Sequence, residues 1–141
     1  MIRRNFIALA LLSSLTPLTA LAAPLSVTVN GIEARGGKLY IGVQTEAQFL
    51  QQGGVAGKVI DAPAAGSLTA SFDVPEGAYS VSVWHDINEN GIFDKDDKGW
   101  PLDGWSMINA DKLTGKPSFN EVRIDVPAEG AHATETVRYP E

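Results

Sequence analysis

The chain has no cysteine among its 141 residues. That excludes disulfides, a lipid-modified N-terminal cysteine and thiolate metal sites. Only two histidines are present, so zinc and copper are poorly served. Basic residues are outnumbered, 11 against 17 acidic. That balance argues against nucleic acid or an anionic membrane as partner of the processed protein. No G-x-S-x-G, Ser/His/Asp set, phosphate loop or basic patch occurs. An enzyme is not expected.

What is present begins with an export signal. Arg3 and Arg4 precede an apolar run from Phe6 to Leu12, and Ala20-Leu21-Ala22 supplies the small residues that a signal peptidase reads. Ser13, Ser14, Thr16 and Pro17 break the run before it could span a bilayer. Arg3-Arg4-Asn5-Phe6-Ile7 resembles a twin-arginine core, although paired arginines also occur in ordinary signals, so both export routes stand. The expectation is a signal peptide over residues 1–22 and one domain over residues 23–141, periplasmic or secreted. Nine basic and 17 acidic residues remain, a net charge of −8. A domain of 119 residues buries enough surface to fold alone.

Period-two alternation runs through that domain. Leu25/Val27/Val29, Leu39/Ile41/Val43, Leu68/Ala70/Phe72, Tyr79/Val81/Val83, Val122/Ile124/Val126 and Val137/Tyr139 each alternate with other residues. Turn signals separate them at Asn30-Gly31, Gly36-Gly37, Gly53-Gly54, Ala65-Gly66, Glu76-Gly77 and Glu129-Gly130. The pattern predicts an all-β fold, an antiparallel β-sandwich of seven or eight strands, transthyretin-like or Ig-like. Phe72 to Tyr79, with Pro75 and Gly77, reads as a chain reversal between two strands. Glu46 to Gln52 reads as a short helical turn with Ala47 and Leu50 on one side.

Residues 86–97 read DINENGIFDKDD. Asp86, Asn88, Asn90 and Asp94 occupy positions 1, 3, 5 and 9 of a twelve-residue loop, with Gly91 at 6 and Asp97 at 12. This nearly matches the calcium loop D-x-[DN]-x-[DN]-G-x5-E. Calcium takes six to eight oxygens, alternate residues of a curled loop aim at one centre, and the glycine permits the bend. Ile92 would add its carbonyl, and its side chain could turn inward to pin the loop. Aspartate at position 12 is one methylene short, so Asp96, water or Asp103 could complete the shell instead. The preceding strand excludes an EF-hand, so the loop is grafted on a β-edge. The competing reading is a structural surface turn.

His85, facing the same way as Val81 and Val83, reads as a rim residue bonded to a neighbour. His132 has no sequence partner. Trp100 and Trp105 flank Pro101-Leu102-Asp103-Gly104; they could cap the open end of the core, or stack on a glycan or anchor a protein.

His85-Asp86-x-Asn88-x-Asn90-Gly91-x-x-Asp94, Gly99-x-Pro101-x-x-Gly104 and Pro117-Ser118-Phe119, preceded by Phe72-x-x-Pro75-x-Gly77-x-Tyr79, resemble the bacterial domain-of-unknown-function family 2141. The resemblance implies a small exported β-sandwich, similar to transthyretin-like and carboxypeptidase-regulatory domains, and no reaction. The chain departs from that pattern at Asp103, Trp105 and Ser106, where glutamate, tyrosine and glycine are expected.

The expected function is an exported, calcium-stabilised binding or structural module. The alternative is a carbohydrate- or peptide-binding domain using Trp100 and Trp105, with the acidic loop as scaffold. A hydrolase built on His85 and Asp86 comes third and lacks a nucleophile.

Overall fold

A computed structural model describes residues 21–141. The predicted signal peptide, apart from Leu21 and Ala22, lies outside the described residues. Eight strands follow in order: β1 Ala22–Ile32, β2 Lys38–Gln44, β3 Ala56–Asp61, β4 Gly66–Pro75, β5 Gly77–Asp86, β6 Gly104–Met107, β7 Arg123–Val126 and β8 Ala131–Thr136. They form two sheets, β4-β1-β8 and β3-β2-β5-β6, with β7 pairing on β5. This is the expected all-β sandwich.

The alternating apolar residues supply its interior. Leu25, Val27 and Val29 face Leu39, Ile41, Val43, Val81 and Val83, all within one buried cluster. Burying each such side chain contributes about 1.5–3 kcal/mol, so the period-two pattern decides which face of each strand turns inward.

Three local expectations are corrected. One pair, β1 with β8, is parallel rather than antiparallel. Asn30-Gly31 is no turn: β1 continues through it to Ile32 with a shift of register against β4, and Gly31 takes φ +68°, as a bulge requires. The Phe72–Tyr79 reversal is not a hairpin of paired strands, because β4 and β5 belong to different sheets. Pro75-Glu76-Gly77 is the corner where the chain changes sheet, and the Tyr79 hydroxyl fastens it by donating to the Pro75 carbonyl at 2.5 Å.

A short helical turn does form at Glu46–Gln48, capped by Thr45. Ala47 and Leu50 are exposed, however; Phe49 packs against Phe119 instead, ring centroids 5.7 Å apart. Phe119 belongs to a single helical turn, α1 Phe119–Val122, whose Ser118 and Glu121 cap one another.

Candidate metal centre

β5 carries Asp86 out of the sheet, and the chain returns at Gly104 as β6. Between them the acidic loop is held by its own side chains. The Asp86 carboxylate accepts the backbone N–H of Asn90 at 3.3 Å and of Gly91 at 2.9 Å. Asn88 accepts the N–H of Asn90 at 3.3 Å, and Asn90 accepts that of Ile92 at 3.0 Å. These are the local bonds that favour Asn and Asp in tight bends. Gly91 stands at φ +71°, which a side chain would strain.

The two amide nitrogens converge on one carboxylate. Asn88 donates to Asp94 at 2.9 Å, and Asn90 donates to both Asp94 oxygens at 3.1 and 2.9 Å. Asp86, Asn88, Asn90 and Asp94 thus form one hydrogen-bonded cluster, the four positions singled out by spacing.

The other two predicted ligands behave differently. Ile92 does not turn inward; its side chain is 62 % exposed. Phe93 anchors the loop instead, standing edge-on against Trp84 with centroids 6.2 Å apart. Asp97 lies exposed near the tip of a small hairpin in which Lys95 pairs with Pro101. Asp96 is committed to that tip, accepting the N–H groups of Lys98 and Trp100 at 2.9 and 2.8 Å. The acid that the fold does bring to the cluster is Asp103, which is 4 % exposed. Its Oδ2 accepts the backbone N–H of Asp94 at 3.1 Å and the indole N–H of Trp84 at 2.7 Å.

Among the described residues no three His, Cys, Asp or Glu side chains gather closely enough to share an ion. What the loop brings together is two carboxylates and two amides. That set of hard oxygens suits calcium in type, and its low charge suits a weak site.

His85 is fully buried, not on a rim. Its Nε2–H donates to the Gly36 carbonyl at 2.6 Å, which fixes the tautomer, so Nδ1 accepts from the Tyr139 hydroxyl at 2.7 Å. That hydroxyl in turn accepts the backbone N–H of Glu33 at 3.1 Å. Burial pushes the Tyr139 phenol above its ordinary value. Gly104 makes room for this lock, since a Cβ there would overlap the Tyr139 ring. Both imidazole nitrogens are occupied, so His85 ties β5 to the β1–β2 loop and the C-terminal segment.

Trp100 is 68 % exposed. Trp105 is half-buried, and the Arg138 guanidinium lies 6.0 Å from its ring centroid. One freely exposed indole remains rather than a pair. Residue spacing gave no sign of Trp84 as the post beneath the loop, because Trp84 and Asp103 lie 19 residues apart and meet only through the β5–β6 pairing.

Fold and loop together define a class: a small β-sandwich with an Asp/Asn-rich excursion between two neighbouring strands. The chain belongs to a family of uncharacterised proteins conserved in bacteria, domain-of-unknown-function family 2141, which matches residues 27–135. No curated protein and no solved structure matches it.

Proposed function

We propose that this protein is an exported binding or structural module whose Asp86–Asp97 loop is braced by calcium, and that it carries no catalytic site. One observation supports the reading: the Asn88 and Asn90 amides are both directed at Asp94, and Asp86 holds the backbone N–H of Asn90 in the same bend. The Asn88 and Asn90 NH2 groups are neutral donors to Asp94, and no cationic side chain stands in that cluster. A divalent cation would replace them, the amides turning about a terminal torsion that is roughly two-fold to present oxygen and releasing the Asn90 and Ile92 N–H groups they accept in the free loop. Asp86, Asn88, Asn90 and Asp94 would then bind through side chains and Ile92 through its carbonyl, with water filling the remaining positions. With two carboxylates in the shell, Kd falls on the order of 10⁻⁴ to 10⁻³ M.

The test is calorimetric titration of the purified protein with calcium, alongside melts in chelator and in 10 mM calcium. Binding in the stated range, lost in Asp94→Asn, supports the reading. Identical melts in chelator and calcium, with no heat of binding, leave the loop a structural turn. Asp94→Asn is preferred over Asp86→Ala, because Asp86 also holds the backbone of the loop and its removal would loosen the bend with or without metal.

A further inference from the structure

The two sheets leave a second feature at the edge where β6 and β8 approach each other. A cavity of about 230 Å³ opens there, lined by Ser106, Asn109, Asp111, Glu135 and Arg138 among others. Glu135 takes an inward position on β8, between the buried Ala133 and Val137. It is 3 % exposed, and both carboxyl oxygens lack a hydrogen-bond partner. The Ser106 hydroxyl faces it from β6, near enough to ease its ionisation without completing a bond. A buried polar group left this way is destabilising, and such groups in folded proteins call for a reason.

We propose that this cavity binds a small compound bearing a primary ammonium group, with Glu135 as its counter-charge. Two acidic side chains, Asp111 and Glu135, line the space with one guanidinium, which lies over the Trp105 ring, so ionising Glu135 leaves the lining with a net negative charge for a cation to balance. The volume corresponds to roughly seven or eight waters and falls below the ~300 Å³ at which sites for drug-sized ligands begin, so the ligand is small. Ser106 and Asn109 offer hydrogen bonds to its remaining polar atoms. In the free protein the carboxyl oxygens are shut off from water. Binding therefore includes a turn of the Glu135 side chain that brings its carboxyl to the cavity, and because the oxygens make no hydrogen bond the turn breaks none.

Burial pushes the Glu135 carboxyl up to about 8, so it is protonated at pH 7 until a cation arrives. The other charged groups lining the cavity are Asp111 and Arg138. Val29, beside Glu135 on β1, and Ser106 on β6 do not titrate. Ammonium binding at pH 7 therefore expels a proton, and affinity rises with pH until the carboxyl is ionised in the free protein.

The experiment is calorimetric titration with ethanolamine and, separately, with glycine, at pH 7.0 and 8.5 in buffers of different ionisation enthalpy. All runs contain chelator, so the outcome is independent of calcium at the loop. Expected are release of close to one proton at pH 7.0 and about eightfold tighter binding at pH 8.5. Glu135→Gln should lose tenfold or more in affinity, together with the pH dependence. Glycine binding more tightly than ethanolamine would support the proposal and assign the glycine carboxylate to Arg138; equal binding would support ammonium recognition alone. Should Glu135→Gln fail to fold, proton release by the unsubstituted protein decides. No binding of either probe, binding without proton release, or binding unchanged in a folded Glu135→Gln would overturn the proposal.

Discussion

The indole nitrogen of Trp84 donates to Asp103 at 2.7 Å, and that bond fastens the end of the acidic loop to the last part of β5, two residues before Asp86. The same carboxylate oxygen receives the backbone N–H of Asp94, so Trp84, Asp103 and Asp94 form a chain from sheet to loop. Trp84 is itself held: Tyr40 on β2 stacks against it with centroids 4.8 Å apart and planes 19° from parallel. The loop is positioned from beneath by an aromatic post whose place the β2–β5 register dictates, since Tyr40 lies directly opposite Trp84.

Trp84→Phe keeps most of the stacking surface and removes the donor. Asp103 is almost fully buried, so losing a bond to its carboxylate should cost about 1.5–3 kcal/mol. Urea unfolding at pH 7 measures this. In a cycle with Asp103→Ala, which also releases the Asp94 N–H, adding Trp84→Phe should cost little further, because the contact the two residues share is already gone. Additive losses would mean that the two residues act separately.

Calcium should raise the melting temperature. At a concentration 100-fold above Kd the linkage amounts to about 2.7 kcal/mol, worth roughly ten degrees for a domain of this size. Gly91→Ala should weaken the effect. No neighbour lies within 4 Å of a Cβ placed there, but φ +71° remains strained for alanine, at about 1 kcal/mol. A differential scan in chelator and in calcium reads both shifts. Equal calcium response in the variant would show that the bend tolerates a side chain.

Much of this was legible in the residues. Alternation over Leu39/Ile41/Val43 and Tyr79/Val81/Val83 fixed which faces turn inward, because a half-buried strand has no other way to sort its side chains. The loop spacing identified Asp86, Asn88, Asn90 and Asp94 because their bonds are local, within two to six residues. What spacing could not reach is what depends on distant strands meeting. Phe93 rather than Ile92 anchors the loop because Trp84 is there to receive it, and of the acids the sequence left open, Asp103 rather than Asp96 or Asp97 approaches Asp94 because the chain must return to β6. Glu135 is not singled out by the sequence; it takes the inward face of β8 with Ala133, opposite the buried Val29 of β1.

Tyr139→Phe tests the lock around His85. The substitution keeps the ring and removes the hydroxyl, leaving the buried Nδ1 and the Glu33 N–H without their shared partner. A loss of about 1–3 kcal/mol is expected, read by urea unfolding. Gly104→Ala should lower stability through the same contact by displacing the Tyr139 ring. Joined in one chain, the two substitutions should cost less than the sum of the two alone.

Glu135 makes stability itself depend on pH, with a sign that can be worked out. Its carboxyl ionises near the ordinary 4.5 in the unfolded chain and near 8 when folded. Between those values the folded state holds a proton that the unfolded state has released, so stability falls as pH rises. The contribution is complete below about pH 4.5, shrinks by roughly 1.4 kcal/mol per pH unit and is gone above about pH 8. Glutamine has the same shape and no charge to bury, so Glu135→Gln should remove this slope alone. Urea unfolding of both proteins at pH 5, 6.5 and 8.5 isolates it, since every other titrating group is common to the two chains. The variant should match the unsubstituted protein at pH 5 and exceed it by a few kcal/mol at pH 8.5. An unsubstituted protein that instead gains on the variant as pH rises would mean that the carboxylate is ionised and paired inside the fold, because only a favourable partner reverses the sign of the linkage.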